Sequence, residues 1–255
     1  MSIQLDTTFP EDAVNPWRLT TATLAADIAA IPGLIAWWEA LPANITLSSG
    51  AITNIAPRSG TGNMVPTSVD RRPTLATDAI SGFEAIRFAI ADTDSLVLSG
   101  ATIDMDEDDF TLVALFKSTS TATNQCVIGR QTDSTNRIAI WHINSEQLRL
   151  TYGSTTTVSD RPCAANEWHL AIGGRSKTAG LARLRLDGAT ASVAAASDTG
   201  PTNDDLCVGS FNTAGGGPFG GDMALFMAFQ SDLFVEGDAI DLIERYVANV
   251  YGLTW

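Results

Sequence analysis

From Gly33 to about residue 230, apolar runs of strand length and clusters of turn-forming residues replace one another roughly every 8–14 residues. That interval limits the architecture. Parallel strands need a crossover of about a dozen residues or more, usually a helix, and the spacing leaves no room for one. The chain is therefore expected to be all-β, with antiparallel strands stacked in two sheets or closed into a barrel.

The runs are GLIAWWEA (33–40), the SSGAITNIA segment around Gly50, FEAIRFA, SLVLSG, FTLVALFKS, QCVIGRQ, NRIAIWHIN, QLRLTYGS, WHLAIGG, ARLRLDG and GGDMALFMAFQ (220–230). Several alternate in character. In RIAIWHI one parity carries Ile138, Ile140 and His142, and the other carries Arg137, Ala139, Trp141 and Ile143, so one face is apolar and the other mixed. The stretch 57–74, rich in Gly, Pro, Ser and Arg, reads as a loop.

Two helices flank the strands. Leu24, Ile28 and Ile31 recur at helical spacing until Pro32-Gly33 stops them, and Ile240, Ile243, Val247, Val250 and Tyr251 form a stripe able to pack on the sandwich. Residues 1–20, with Pro10 and Pro16, show no periodicity and read as an extended arm. The organisation expected is an arm over 1–20 and a single sandwich, C-terminal helix included, over 21–255.

The composition is that of a folding chain, 45% hydrophobic and 17% charged. A net charge of −14, from 29 acidic against 15 basic residues, repels nucleic acid and anionic membrane at long range. No apolar run approaches the ~20 residues of a membrane span, and MSIQLDTTFPED lacks the basic and apolar regions of a secretion signal. Synthesis in the cytoplasm without membrane insertion is the expectation. Cys126, Cys163 and Cys207 show neither a paired nor a metal-binding pattern and read as free thiols.

The tail GGDMALFMAFQSDLFVEGDAIDLIERYVANVYGL resembles the ending of laminin-G-like and concanavalin-like domains of bacteria and phages, with Tyr246, Tyr251 and Gly252 in matching places and Asn249-Val250 replacing a basic pair. GLIAWWEA with SGAITNIAPRSGTG is similar to the family's opening. NEWHLAIGGRSKTAGLARLRLDGA is similar to its paired central strands, with Trp168 in the first and Asp187-Gly188 at the turn. The resemblance covers roughly 33–252 and implies a two-sheet jelly roll. Family members often hold calcium through an aspartate where this chain has Ala224, so the resemblance implies no such site here.

No residue pattern points to catalysis. Glycosidases need two carboxylates flanking one bond, and no alternating acid pattern supplies them; GxSxG, HExxH and phosphate-loop patterns are absent as well. IDMDEDDF (103–110) reads as a solvated turn, with calcium at Asp104, Asp106 and Asp108 as the alternative. His142 and His169 read as packed residues on sheet faces, and TAGGGPFGGD (213–222) as a loop between the last two strands.

Sugar recognition needs an aromatic face and planar polar groups. Arg137, Trp141, His142, Asn144, Arg149 and Tyr152 supply that mixture within 136–152, with Trp141 and Arg137 on one face and Arg149 or Tyr152 brought near by the hairpin. Trp37, Trp38 and Trp168 read as core. The expected function is a non-catalytic recognition module for surface glycan or polysaccharide, carried on a phage or phage-like virion, with residues 1–20 docking on other virion proteins. A homo-oligomer fits the same reading. The alternatives are a virion decoration protein that binds no sugar and, behind it, a glycan-degrading enzyme.

Overall fold

The structure, a computed structural model, describes residues 20–99, 108–131, 133, 135–154, 156–196 and 205–254. The expected arm, apart from Thr20, lies outside the described residues, as do Asp104 and Asp106. Helix α1 (Thr21–Ala29) starts where Thr20 Oγ1 accepts the Thr23 amide at 3.1 Å, an N-cap that satisfies an otherwise orphaned donor.

Eighteen strands follow among the described residues. The first half comprises β1 (Leu34–Glu39), β2 (Ile45–Ser48), β3 (Ala51–Ile55), β4 (Ser59–Gly60), β5 (Asn63–Pro66), β6 (Thr74–Ile80), β7 (Phe83–Phe88), β8 (Leu96–Ser99) and β9 (Phe110–Ser118). The second comprises β10 (Gln125–Gln131), β11 (Arg137–Ile143), β12 (Gln147–Tyr152), β13 (Thr156–Pro162), β14 (His169–Ser176), β15 (Leu181–Leu186), β16 (Ser192–Ala195), β17 (Cys207–Val208) and β18 (Gly221–Phe229). Helix α2 (Ala239–Tyr251) closes on Gly252, whose φ of 68° makes the left-handed cap that glycine allows.

All pairings are antiparallel, and they trace two layers. One runs β16-β15-β14-β9-β18, after which β1 and β7 share the far edge of β18, β1 along Leu225–Phe229 and β7 along Gly221–Met223. The other runs β13-β12-β11-β10-β17-β8-β5-β3-β2. A single pair, Ala51 opposite Thr74, stitches β3 to β6 and so joins the layers. This is the two-sheet jelly roll with a short N-terminal and a C-terminal helix.

Alternate residues of β9 and β18 feed two different cores. Leu112, Ala114, Phe116, Phe226 and Ala228 face the second sheet, where they meet Ile138, Ile140, Leu150 and Tyr152. Val113, Leu115, Leu225, Met227 and Phe229 face outward and are roofed by Leu24 and Ile28 of α1 and by Ile243, Tyr246, Val247 and Tyr251 of α2. Every residue of β18 is buried, and from Met223 to Phe229 its sequence runs apolar without alternation. Gly221 must be glycine: its φ is 151°, and a Cβ there would lie 2.1 Å from the Lys117 carbonyl oxygen across the β9 ladder.

The structure adds to and corrects the sequence reading in places. The stretch 57–74, expected as a loop, contains β4 and β5, which edge β1 and β8. The Thr-rich strand β13 and the short β16 carry too few large apolar residues to signal themselves. Trp37 and Trp38 are buried as expected, one in each core, and Trp168 packs at the margin of the outer one under the Lys117 ammonium, 5.2 Å from its ring. Since helices cover the first sheet, the broad face left open among the described residues is the outer face of the second, around β11 and β12.

Candidate functional site

The β11–β12 hairpin is fixed by the loop Asn144–Glu146. Glu146 takes a left-handed φ of 56° and its amide bonds the Ile143 carbonyl at 3.0 Å, the geometry of a three-residue hairpin connection. That loop sets the register: Ile143 faces Gln147, Trp141 faces Arg149, Ala139 faces Thr151 and Ile138 faces Tyr152. Side-chain direction alternates along each strand, so Arg137, Ala139 and Trp141 share the outer face with Arg149 and Thr151.

A shallow depression of about 250 Å³ lies on this face, lined by Asn124, Arg137, Trp141, Ile143, Arg149, Thr151 and Thr157. Arg137 and Trp141, four residues apart, stand roughly 13 Å apart along the strand, with the small Ala139 between them leaving the hollow. The indole is held from one side by Phe211, ring centroids 5.4 Å apart. The Gly-rich loop makes this possible by close approach, because a Cβ at Gly217 would sit 2.8 Å from both the Trp141 and the Phe211 rings. The same loop bonds the sheet where the Gly217 carbonyl accepts the Cys126 amide at 2.8 Å. Arg137 Nε donates to the Gly153 carbonyl at 3.2 Å, anchoring its stem at the strand end.

Of the six residues expected to bind, Arg137, Trp141 and Arg149 meet at the depression. Asn144 lies exposed in the hairpin loop beside it, its amide bonded to Asn124 Oδ1 at 3.1 Å. His142 and Tyr152 must be reassigned: both point inward and are fully buried. His142 Nε2 donates to the Cys163 carbonyl at 2.9 Å, and burial lowers its pKa. Tyr152 lies in the inner core against Phe110 and under the Arg175 guanidinium, 4.7 Å from its ring. The opposite parity of positions 142 and 152 to Trp141 and Arg149 is the physical reason. Asn124, Phe211, Thr151 and Thr157 complete the site unforeseen. Thr151 was within reach of the alternation, two residues from Arg149, whereas Phe211 and Asn124 come from connections with no period to read.

A larger cleft, about 600 Å³, lies at one end of the sandwich between the α1–β1 connection, Asp108-Asp109 and residues 230–236. Three of the four acids in its described lining have partners: Asp109 accepts the Lys177 amide at 2.6 Å, Gln230 donates to Asp108, and Asp232 pairs with Arg183, with Glu236 as the fourth. Its described lining includes no aromatic side chain. Among the described residues, no three His, Cys, Asp or Glu side chains converge to hold a metal ion.

The model of the concanavalin A-like lectin/glucanases superfamily matches residues 91–236. Among solved structures, the binding domain of botulinum neurotoxin serotype D is similar at TM-score 0.57 and 10% identity, over 87% of this chain and 53% of that one. The binding domain of Paraclostridial mosquitocidal protein 1 is similar at 0.56 and 10%, over 82% and 52%. The CBM40 of a Ruminococcus gnavus IT-sialidase, bound to α2,3-sialyllactose, matches 56% of this chain and 92% of its own at 14% identity and TM-score 0.45. A search among curated proteins returns no match.

Proposed function

This chain belongs to the concanavalin A-like lectin/glucanases superfamily, and from that premise we propose that it is a non-catalytic glycan-recognition module that binds on the outer face of β11 and β12. The observation that carries the reading is the braced Trp141 ring, faced by Arg149, in an open depression whose far end carries Arg137. An indole face covers the apolar side of a pyranose, while guanidinium, amide and hydroxyl groups meet its hydroxyls. The described lining residues include no carboxylate, whereas glycoside hydrolysis calls for two flanking the scissile bond. The hollow is smaller than the ~300–1,000 Å³ of enclosed ligand pockets, so it suits a sugar laid along the surface.

A glycan array followed by titration of the strongest hit tests this. Trp141→Ala should weaken binding by about 2 kcal/mol, or about 30-fold, as expected for a central aromatic anchor. Undiminished binding by a folded Trp141→Ala protein would remove the site from this face.

The finer reading places the module on a phage or phage-like particle, with residues 1–20 docking it to other particle proteins. Its support is the Pro-interrupted, aperiodic character of that stretch beside a lectin-like fold. Removing residues 1–19, which keeps the Thr20 cap of α1, should leave a folded sandwich that no longer co-sediments with particles, and co-sedimentation of the truncated protein would reject it.

A further inference from the structure

The charges around the depression run against those of the whole chain. The protein carries a net −14, and four arginines elsewhere are spent on its acids: Arg58 on Glu39, Arg87 on Asp222, Arg183 on Asp232 and Arg185 on Glu244. Those four pairs brace the sandwich and its helices. Arg137 is placed differently. Its Nε is anchored on a neutral carbonyl, that of Gly153, which fixes the side chain, and among the described residues it forms no ion pair with a carboxylate. Arg149 lies directly across the ladder from Trp141, and Arg137 lines the same depression from its far end, about 13 Å along the strand.

We infer that the site selects anionic saccharides, with Arg137 reading a carboxylate or sulfate on a unit of the glycan chain that neighbours the ring packed against Trp141. This rests on the glycan-binding reading above and narrows it. A guanidinium presents a planar fork that matches a carboxylate or sulfate with paired, charge-assisted hydrogen bonds, and those are stronger than bonds to neutral hydroxyls. A half-buried cation already anchored on a carbonyl gives up less hydration to form them than a fully solvated one. The rest of the surface acts in the opposite direction, because a chain of −14 repels a polyanion at a distance. Selection is therefore local: the anionic group must reach the arginines, and a merely dense negative charge gains nothing.

Carboxylated and sulfated sugars share this chemistry, and an array holding the same glycan backbones in carboxylated, sulfated and neutral forms separates them. At least one charged form should bind about tenfold more tightly than its neutral counterpart, the scale of a hydrogen bond to a charged group. Arg137→Gln should erase that preference, weakening the charged forms about tenfold more than the neutral backbone. Trp141→Ala should weaken charged and neutral forms alike. Equal binding of charged and neutral forms by the parent protein would overturn the inference and leave glycan recognition standing, as would a preference that survives Arg137→Gln. Failure of the parent protein to bind any member would overturn the recognition reading together with the inference. A charge preference matched by dextran sulfate, which has sulfate density without a selected backbone, would reassign the effect to nonspecific attraction.

Discussion

Glu39→Ala should lower the thermal midpoint by about 10 °C. Glu39 ends β1 and is only 1% exposed, yet it holds three donors. Tyr246 Oη reaches its two oxygens at 2.8 and 3.1 Å, Tyr251 Oη reaches Oε1 at 2.6 Å, and Arg58 closes the group with an ion pair. Arg58 in turn lies 4.5 Å from the Trp37 ring and 5.3 Å from that of Tyr246. Burial and the neighbouring carboxylate push both phenol pKa values up, so each hydroxyl stays a donor. This cluster fastens α2 to β1 through a polar contact inside an otherwise apolar interface. Removing the carboxylate takes the acceptor from both phenols and leaves the guanidinium with the Tyr246 hydroxyl in place of its counter-ion, and breaking a buried pair in this way costs about 3–5 kcal/mol. At about 2–4 °C per kcal/mol for a chain of this size, the midpoint falls by about that 10 °C. Glu39→Gln keeps an acceptor and the shape, and should lose about half as much. Calorimetry on both variants checks the pair; an alanine variant melting within about 2 °C of the parent would show that the cluster does not carry the helix.

None of that cluster could be read from the sequence. Glu39 stands at the end of LIAWWE as one acid after an apolar run, and its tyrosines follow some 200 residues later. Local pattern reaches only as far as local geometry. Within β11 and β12 it reached well: the period of two separated Ile138, Ile140 and His142 from Arg137 and Trp141, and it is the same separation that puts His142 and Tyr152 in the core. What it left open was register, since Arg149 and Tyr152 compete for the place near Trp141 until the loop length chooses between them. In β9 and β18 the alternation vanishes because both faces are buried, so the runs announce strands but not which residue meets which layer. Phe211 lay hidden for another reason. It sits in a Gly-rich connection where the contact depends on missing side chains rather than on present ones.

The second large effect is a stability that declines as pH rises from about 6.5 toward 10, through His169. This imidazole lies between two acceptors, with Nδ1 2.6 Å from Asp187 Oδ2 and Nε2 3.0 Å from the Ala164 carbonyl. Satisfying both takes two N–H groups, hence the imidazolium. Burial opposes that charge, but the bond to Asp187, with the nearby Cys163 sulfur, outweighs it and pushes the pKa up to about 10. The folded protein therefore holds a proton that the unfolded chain releases near 6.5. The contribution is complete below the unfolded pKa and disappears as pH climbs to the folded one. His142 works in the other direction. Burial, then the neighbouring His169, keep its pKa low, so below about 6.5 the unfolded chain takes up a proton that the folded protein resists, and stability falls on acidification. Stability should thus peak between the two limbs. Asp187→Asn isolates the alkaline one, because asparagine can still accept the Leu170 amide that Asp187 Oδ1 bonds at 2.8 Å and tolerates the left-handed φ of 49°. It should cost about 3 kcal/mol at pH 7 and flatten the profile from pH 7 to 9. Urea unfolding at pH 5, 7 and 9 measures both limbs, and an alkaline slope that persists in Asp187→Asn would assign the proton to another group.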